Sequence, residues 1–261
     1  MGLIDAETSN GVTTITLGDV DRRNVLSREL LTELMDAIDA LEADPDVRVA
    51  VVTNRGHVFC AGADLAERSA NEGLGAARSV ELRELFQRIQ ESPTPFVGRI
   101  NGHCVAGGVG LAAVMDISLC VDTAMFGFSE VRVGVAPAII SVVCLPKMRL
   151  ADAREAFLRG HRFSASEAAR MGLINRSLAA NDLDDEVAAV VNDLLAGEPG
   201  AIGEAKRLTR EVPSMPTEEA FEWTARLSAS LFASDAAREG MSAFLEKRPA
   251  SWVRRVSDGN A

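Results

Sequence analysis

Phe59-Cys60-Ala61-Gly62-Ala63-Asp64 and Asn101-Gly102-His103-Cys104-Val105-Ala106-Gly107-Gly108 are the two stretches on which the reading of this chain turns. Their small residues leave backbone N–H groups open to close approach by a ligand. Two such N–H groups, brought together by folding, would hold a developing oxyanion without any side chain. Each stretch follows an apolar segment with strand character, Val-Arg-Val-Ala-Val-Val-Thr at 47–53 and Phe-Val-Gly-Arg-Ile at 96–100. Open α/β sheets place ligands at the C-terminal ends of such strands.

Working outward, residues 12–17 alternate and are rich in Thr, Val and Ile, which predicts a half-buried strand. Ser27 is positioned to cap a helix carrying Leu30, Leu31, Leu34, Ile38 and Leu41 at helical spacing, ended by Asp44-Pro45-Asp46. Residues 47–53 form a buried-type strand followed by the Asn54-Arg55-Gly56 turn. A charged amphipathic helix is expected over 76–90, stopped by Pro93 and Pro95, then a strand at 96–100. A short helix of small residues follows at 107–115, then strands at 117–121 and 124–128. This alternation predicts a largely parallel sheet covered by helices. From Ala151 onward the pattern reads as helix almost without interruption, over 151–159, 164–171, 183–195, 202–211, 217–233 and 235–246. Gly160, Gly172, Gly197 and the Pro213 and Pro216 pair punctuate it. An α/β core near 1–150 followed by a helical region is the expectation.

Composition narrows the function. The chain has 261 residues, enough for a sizeable core, and its 47% hydrophobic and 25% charged content is that of an ordinary soluble protein. A net charge of −11 argues against a nucleic-acid partner, which needs a basic surface. Small anions stay possible through local N–H groups and single Lys or Arg residues. Cys60, Cys104, Cys120 and Cys144 include no close C-x-x-C pair, so free thiols in a reducing compartment are expected, with no metal site. Residues 1–10 lack the apolar run of a signal peptide, and the apolar run at 133–145 is broken by Gly134 and Pro137. A cytoplasmic protein without membrane contact is the expectation.

Each candidate residue has two readings. The 60–64 stretch is a ligand loop or a plain turn into a helix that Asp64 caps. Ala106-Gly107-Gly108 opens a helix whose unsatisfied N–H groups suit an enolate, or it is a bend packed tightly on a neighbour. Glu130, in Met125-Phe126-Gly127-Phe128-Ser129-Glu130-Val131, is a partly desolvated base or a surface residue paired with Arg132. The fingerprints G-x-G-x-x-G, G-x-x-x-x-G-K-[ST] and G-x-S-x-G are absent, so dinucleotide, Walker-type and Ser-His-Asp sites lack support. His57, His103 and His161 read as polar loop residues, and Phe221, Trp223, Phe232, Phe244 and Trp252 as core or subunit-contact aromatics.

Taken in order, these segments resemble the crotonase superfamily, the enoyl-CoA hydratase/isomerase family. The resemblance covers nearly the whole chain. It adds Leu65 to the first stretch and Leu111-Ala112 and Asp116-Ile117 after the second. It continues through Phe126 to Gly134 and Pro137, then Phe163, Ala165, Glu167-Ala168 and Met171-Gly172-Leu173-Ile174. It closes on Glu239-Gly240-Met241-Ser242-Ala243-Phe244-Leu245-Glu246-Lys247-Arg248. The resemblance implies an α/β, ClpP-like spiral of ββα turns over residues 1–195. It implies a C-terminal helical region, 196–261, used for trimerisation and active-site capping. The implied assembly is a homotrimer or a dimer of trimers. The implied ligand is an acyl-CoA thioester, with CoA as part of the substrate and no separate cofactor.

By residue match, Ala63 and Gly107 would supply the oxyanion-hole N–H groups and Glu130 the proton-transferring acid. Ala61, Asp64, Leu65 and Gly108 would contact the substrate. Arg22 and Arg23 are candidate phosphate contacts, and Lys247, in the C-terminal motif, would reach a neighbouring subunit's ligand. They read equally well as solvated charges. The family's hydratases use two glutamates, and Gly110 stands at the first position. Two-acid hydration needs one group to position water and another to relay a proton. A single acid resembles the family's Δ3,Δ2-enoyl-CoA isomerases. Hydration that persists without the second acid, and a non-catalytic acyl-CoA-binding protein, are the alternatives. Decarboxylation or thioester hydrolysis on the same fold is a further one that rests on analogy alone. Lysines that some relatives carry near the CoA phosphates are His57 and Ala66 here. Ala138-Ile139-Ile140 replaces a more glycine-rich stretch and would make the acyl pocket wall bulkier.

Overall fold

Four successive ββα units organise the first half of the chain. A computed structural model describes residues 2–64 and 74–254. Strands β1 (Ile4–Ser9) and β2 (Val12–Leu17) lead into helix α1 (Arg28–Ala43). Strands β3 (Val49–Asn54) and β4 (Val58–Cys60) precede α2 (Leu74–Glu91), and β5 (Phe96–Ile100) and β6 (His103–Val105) precede α3 (Gly107–Val114). Strands β7 (Ile117–Val121) and β8 (Met125–Gly127) are followed by a 3-10 turn (Ser129–Val133) and α4 (Ala138–Cys144). Beyond lie α5 (Leu150–Arg159), β9 (Arg162–Ser164), α6 (Ala165–Arg170), β10 (Arg176–Leu178) and α7 (Leu183–Ala196). Helices α8 (Pro199–Glu211), α9 (Thr217–Phe232) and α10 (Asp235–Glu246) complete the described chain.

The two strands of each later unit go to different sheets. One sheet has the order β1-β2-β3-β5-β7-β10 and the other β4-β6-β8-β9. Pairing is parallel from β2 through β10 in the first sheet, with Val52 beside Ile15 and Gly98, and Gly98 beside Ser118. It is antiparallel only at β1–β2 and β8–β9. Strand β3 is buried along its whole length, as its unbroken apolar run requires between covered faces. Helix α1 begins at the Ser27 side chain, which accepts the Leu30 N–H, and buries Leu30, Leu31, Leu34, Ile38 and Leu41. That stripe joins Ile15, Leu17, Val49, Phe96 and Leu119 in one contiguous core, with Phe126, Phe128 and Phe163 filling the second sheet's side.

The expected core boundary near 150 is corrected. Strand β10 extends the six-stranded sheet beside β7, and β9 extends the other beside β8. The second half is therefore not helical throughout. The 133–145 run is broken as expected: Gly134, at φ 81, ends the 3-10 turn, and α4 starts only after Pro137, where proline is tolerated. Strand β4, not β3, leads into the 60–64 stretch, so that stretch stands on the second sheet.

The last three helices pack more loosely. Helices α8 and α9 bury no residue fully, and Phe221, Phe232, Phe244 and Leu245 are exposed, Phe244 to 83%. Lys206 on α8 ties them to the sheets by donating to Asp116 at 2.8 Å, Ile89 O at 2.8 Å and Thr94 O at 3.0 Å. Arg48 donates to Gly197 O at 2.6 Å.

Candidate active site

The two glycine-rich stretches meet. Strands β4 and β6 pair in parallel, Val58 beside His103 and Cys60 beside Cys104, so the segments that leave them run side by side. Gly62 adopts φ +87, a conformation glycine reaches without strain, and its Cα hydrogen points at Val105 O and Gly107 N. A Cβ there would fall 2.8 Å from Val105 O and 3.0 Å from Gly107 N. One on Gly107 would fall 3.7 Å from Ala63 N. The N–H groups of Ala63 and Gly107 thus belong to neighbouring peptides, and among the described residues neither donates to a protein acceptor. Gly107 opens α3, so the helix dipole adds positive potential at that point.

Several contacts hold this arrangement. Leu26 N–H donates to Gly62 O at 2.8 Å, and Leu26 bridges to Ala63. Ala61 N–H donates to Arg23 O at 3.1 Å. Ala106, at φ 49 and ψ −119, holds a backbone conformation costly for a residue with a side chain. Its N–H is fixed by Gly127 O at 2.9 Å, which ties the start of α3 to strand β8. Gly108 is pressed on Cys60, where a Cβ would collide with Cys60 O at 2.1 Å. The tight-bend reading of 106–108 holds at Gly108, while the Gly107 N–H keeps no protein acceptor among the described residues.

Glu130 follows the same strand. It sits in the 3-10 turn after β8, half-buried, and its Oε2 is buried with no hydrogen-bond partner among the described residues. Burial pushes its carboxyl pKa up, opposed by a bond from its own backbone N–H. The pairing with Arg132 does not form. Arg132 instead donates to Gly160 O at 2.8 Å and Arg159 O at 3.1 Å. The nearby Cys144 thiol on α4 is pushed up by burial, with Lys147 opposing and the Glu130 charge adding.

Gly110 lies one turn along α3 from Gly107, and its surroundings are full. A Cβ there would fall 2.5 Å from Ile140 Cγ2 and 3.0 Å from Phe86 Cε2, both in well-buried side chains. Neither Ile140 nor Phe86 stood out as a site residue in the sequence, although the Ala138-Ile139-Ile140 departure marked the segment.

The other candidates are scattered in role. Asp64 is buried and forms an ion pair with Arg22, whose backbone N–H also donates to Asp19 at 3.4 Å. Asp64 is therefore engaged across the loop from the Arg22 segment. Leu65 and Ala66 lie outside the described residues. Lys247 caps α10 at φ 55, and nothing among the described residues joins it to the Ala63–Gly107 pair. His57 and His103 meet edge-on at 6.2 Å, and His103 Nδ1 accepts the Met125 N–H at 3.0 Å. All four cysteines are free and buried. No group of three or more His, Cys, Asp or Glu among the described residues could hold a metal ion. No helix among them is long and apolar enough to cross a membrane.

The chain is similar to known proteins over nearly its whole length. The family model for enoyl-CoA hydratase/isomerase matches residues 7–255. A Thermus thermophilus relative provisionally named an enoyl-CoA hydratase is 36% identical over 242 residues, covering 91% of this chain and 96% of its own. Carnitinyl-CoA dehydratase from Salmonella enteritidis is 31% identical over 259 residues, 95% of this chain and 97% of its own. The crystal structure of an enoyl-CoA hydratase from Mycobacterium smegmatis superposes with a TM-score of 0.92 at 30% identity, covering 97% of this chain and 99% of that one. The chain is an enzyme of the enoyl-CoA hydratase/isomerase family and carries the crotonase fold.

Proposed function

We propose that this enzyme is a single-acid proton shuttle on acyl-CoA thioesters, a Δ3,Δ2-enoyl-CoA isomerase. The thioester carbonyl accepts from the N–H groups of Ala63 and Gly107, which stabilise the enolate formed when a C2 proton leaves. Glu130 takes that proton and returns it at C4. Removing one oxyanion donor from such a site typically costs about 3–4 kcal/mol of transition-state stabilisation. The observation that carries the choice of isomerisation is the packing at Gly110, where Ile140 and Phe86 leave no room for a second carboxylate. The raised pKa of Glu130 supports its role as base, since a carboxylate with a higher pKa removes a proton more effectively.

Hydration is the second reading, favoured by the names of the relatives. The test follows conjugated-thioester absorbance with a 3-enoyl-CoA and, in parallel, a 2-enoyl-CoA. Rising absorbance from the 3-enoyl substrate, reduced roughly 10²–10⁴-fold in Glu130→Gln, is the expected result. Falling absorbance from the 2-enoyl substrate as the faster reaction replaces isomerisation by hydration. Acyl-CoA binding without either change moves the assignment to a binding role.

The same reading includes Ala61, Asp64, Leu65 and Gly108 along the substrate, Arg22 toward its phosphates, and Lys247 reaching a neighbouring subunit's ligand. It includes residues 196–261 as a region that caps the site and joins copies into a homotrimer or a dimer of trimers. The exposed Phe221, Phe232, Phe244 and Leu245 support the assembly. A cytoplasmic setting completes it, in keeping with four free thiols.

A further inference from the structure

The contacts around Gly110 bear on which product forms. Ile140 Cγ2 and Cβ would lie 2.5 and 2.9 Å from a Cβ at position 110, and Phe86 Cε2 3.0 Å from it. Ile140 and Phe86 are each 3% exposed, so neither swings aside without opening the core. Ile140 and Cys144 are an i, i+4 pair and share one face of α4. Cys144 is the residue on that face whose thiol feels the Glu130 charge. Helix α4 thus packs a hydrocarbon beside Gly110 and carries a buried thiol one turn further along the same face.

Resting on the isomerase reading above, we infer that Ile140 is a specificity-determining residue that excludes water from the volume beside Gly110. Two fates are open to an enoyl thioester in this site. In isomerisation, a C2 proton passes to Glu130 and back to C4, and the double bond moves from C3–C4 to C2–C3. In hydration, the hydroxyl of water bonds to C3 and a proton to C2, with no net change of redox state. The second fate needs a held water next to the reacting carbon, and Ile140 occupies the space a residue at 110 would use to hold it. Gly110 and Ile140 are then a matched pair: an acid at 110 works only when residue 140 is small.

The test compares the full-length wild type with Ile140→Ala, Gly110→Glu and the double variant. Chromatography measures the ratio of 3-hydroxyacyl-CoA to isomerised product, and thermal unfolding checks the fold. Gly110→Glu alone is expected to lower the Tm without gaining hydration. The double variant is expected to recover Tm and to raise the hydration-to-isomerisation ratio at least about 10-fold over either single variant. Gly110→Glu hydrating as well as the double variant would overturn the inference. So would a double variant with recovered Tm and an unchanged product ratio, a result that leaves the isomerase assignment standing. Wild-type turnover that survives in Glu130→Gln sinks that assignment instead, and the product ratio still reports on Ile140.

Discussion

Glu130 is a carboxylate held at a cost to the fold. Its Oε2 is buried without a partner, and burial raises its pKa. A carboxyl whose folded pKa exceeds its unfolded value holds its proton more tightly when folded. Its contribution to stability is fully present below the unfolded pKa and is lost as pH rises through the folded one. At neutral pH the ionised Glu130 therefore opposes folding. Glu130→Gln is expected to raise the Tm at pH 7 and to leave it nearly unchanged near pH 4, read by calorimetry at both values. A lower Tm at pH 7 would mean that the carboxylate has a stabilising partner. In the active enzyme, kcat/KM should rise with pH along a limb set above the ordinary carboxylate value of 4.5. A pH–rate profile flat across the region above that value would remove Glu130 as the titrating base. The sequence around Glu130 suggested desolvation through its aromatic neighbours but left the surface reading open. The Arg132 partner of the surface reading is absent, because Arg132 bonds to the 159–160 backbone instead.

At the scale of elements, the site depends on how closely α3 approaches β4. Gly108 lies where a Cβ would sit 2.1 Å from Cys60 O, a backbone atom that cannot rotate away. Gly108→Ala should cost about 3 kcal/mol in urea unfolding and reduce turnover as well, because moving α3 carries Gly107 N–H away from Ala63 N–H. Full stability in this variant would mean that the two elements are less tightly joined. A second junction is Lys206 on α8, whose largely buried ammonium reaches Asp116, Ile89 O and Thr94 O. Lys206→Met leaves the Asp116 carboxylate facing that pocket without its cation, and should cost about 3 kcal/mol by the same measurement. The long elements were legible in sequence, since α1 and β2 carry enough residues for their periods to be counted. Of the three-residue strands, β8 was legible within the apolar run 124–128, whereas β4, β6, β9 and β10 were not, because they are defined only by their partners.

For the whole molecule, the exposed aromatic residues of the last helices are the main unsatisfied feature. Phe221, Phe232 and Phe244 are 72, 69 and 83% exposed, large apolar side chains that the single chain leaves in water. Phe244→Glu should shift the protein toward single chains in analytical ultracentrifugation while leaving its helix content unchanged by circular dichroism. An assembly state identical to wild type would place the contact elsewhere. The order of the family motifs, from the 59–64 stretch to the 239–248 stretch, already implied both the fold and copies in contact.

The sequence by itself determined the strand and helix periods, the two glycine-rich stretches, the family and the lack of an acid at Gly110. These are properties of composition and order along the chain, and they are written locally. Only the tertiary structure decided that Gly62 backs onto Gly107 N, that Asp64 faces Arg22, and that Ile140 and Phe86 fill the volume at Gly110. Those contacts join residues far apart in the chain. They follow from the pairing of β4 with β6 and the packing of α4 on α3, which depend on the shape of the whole core rather than on any one segment.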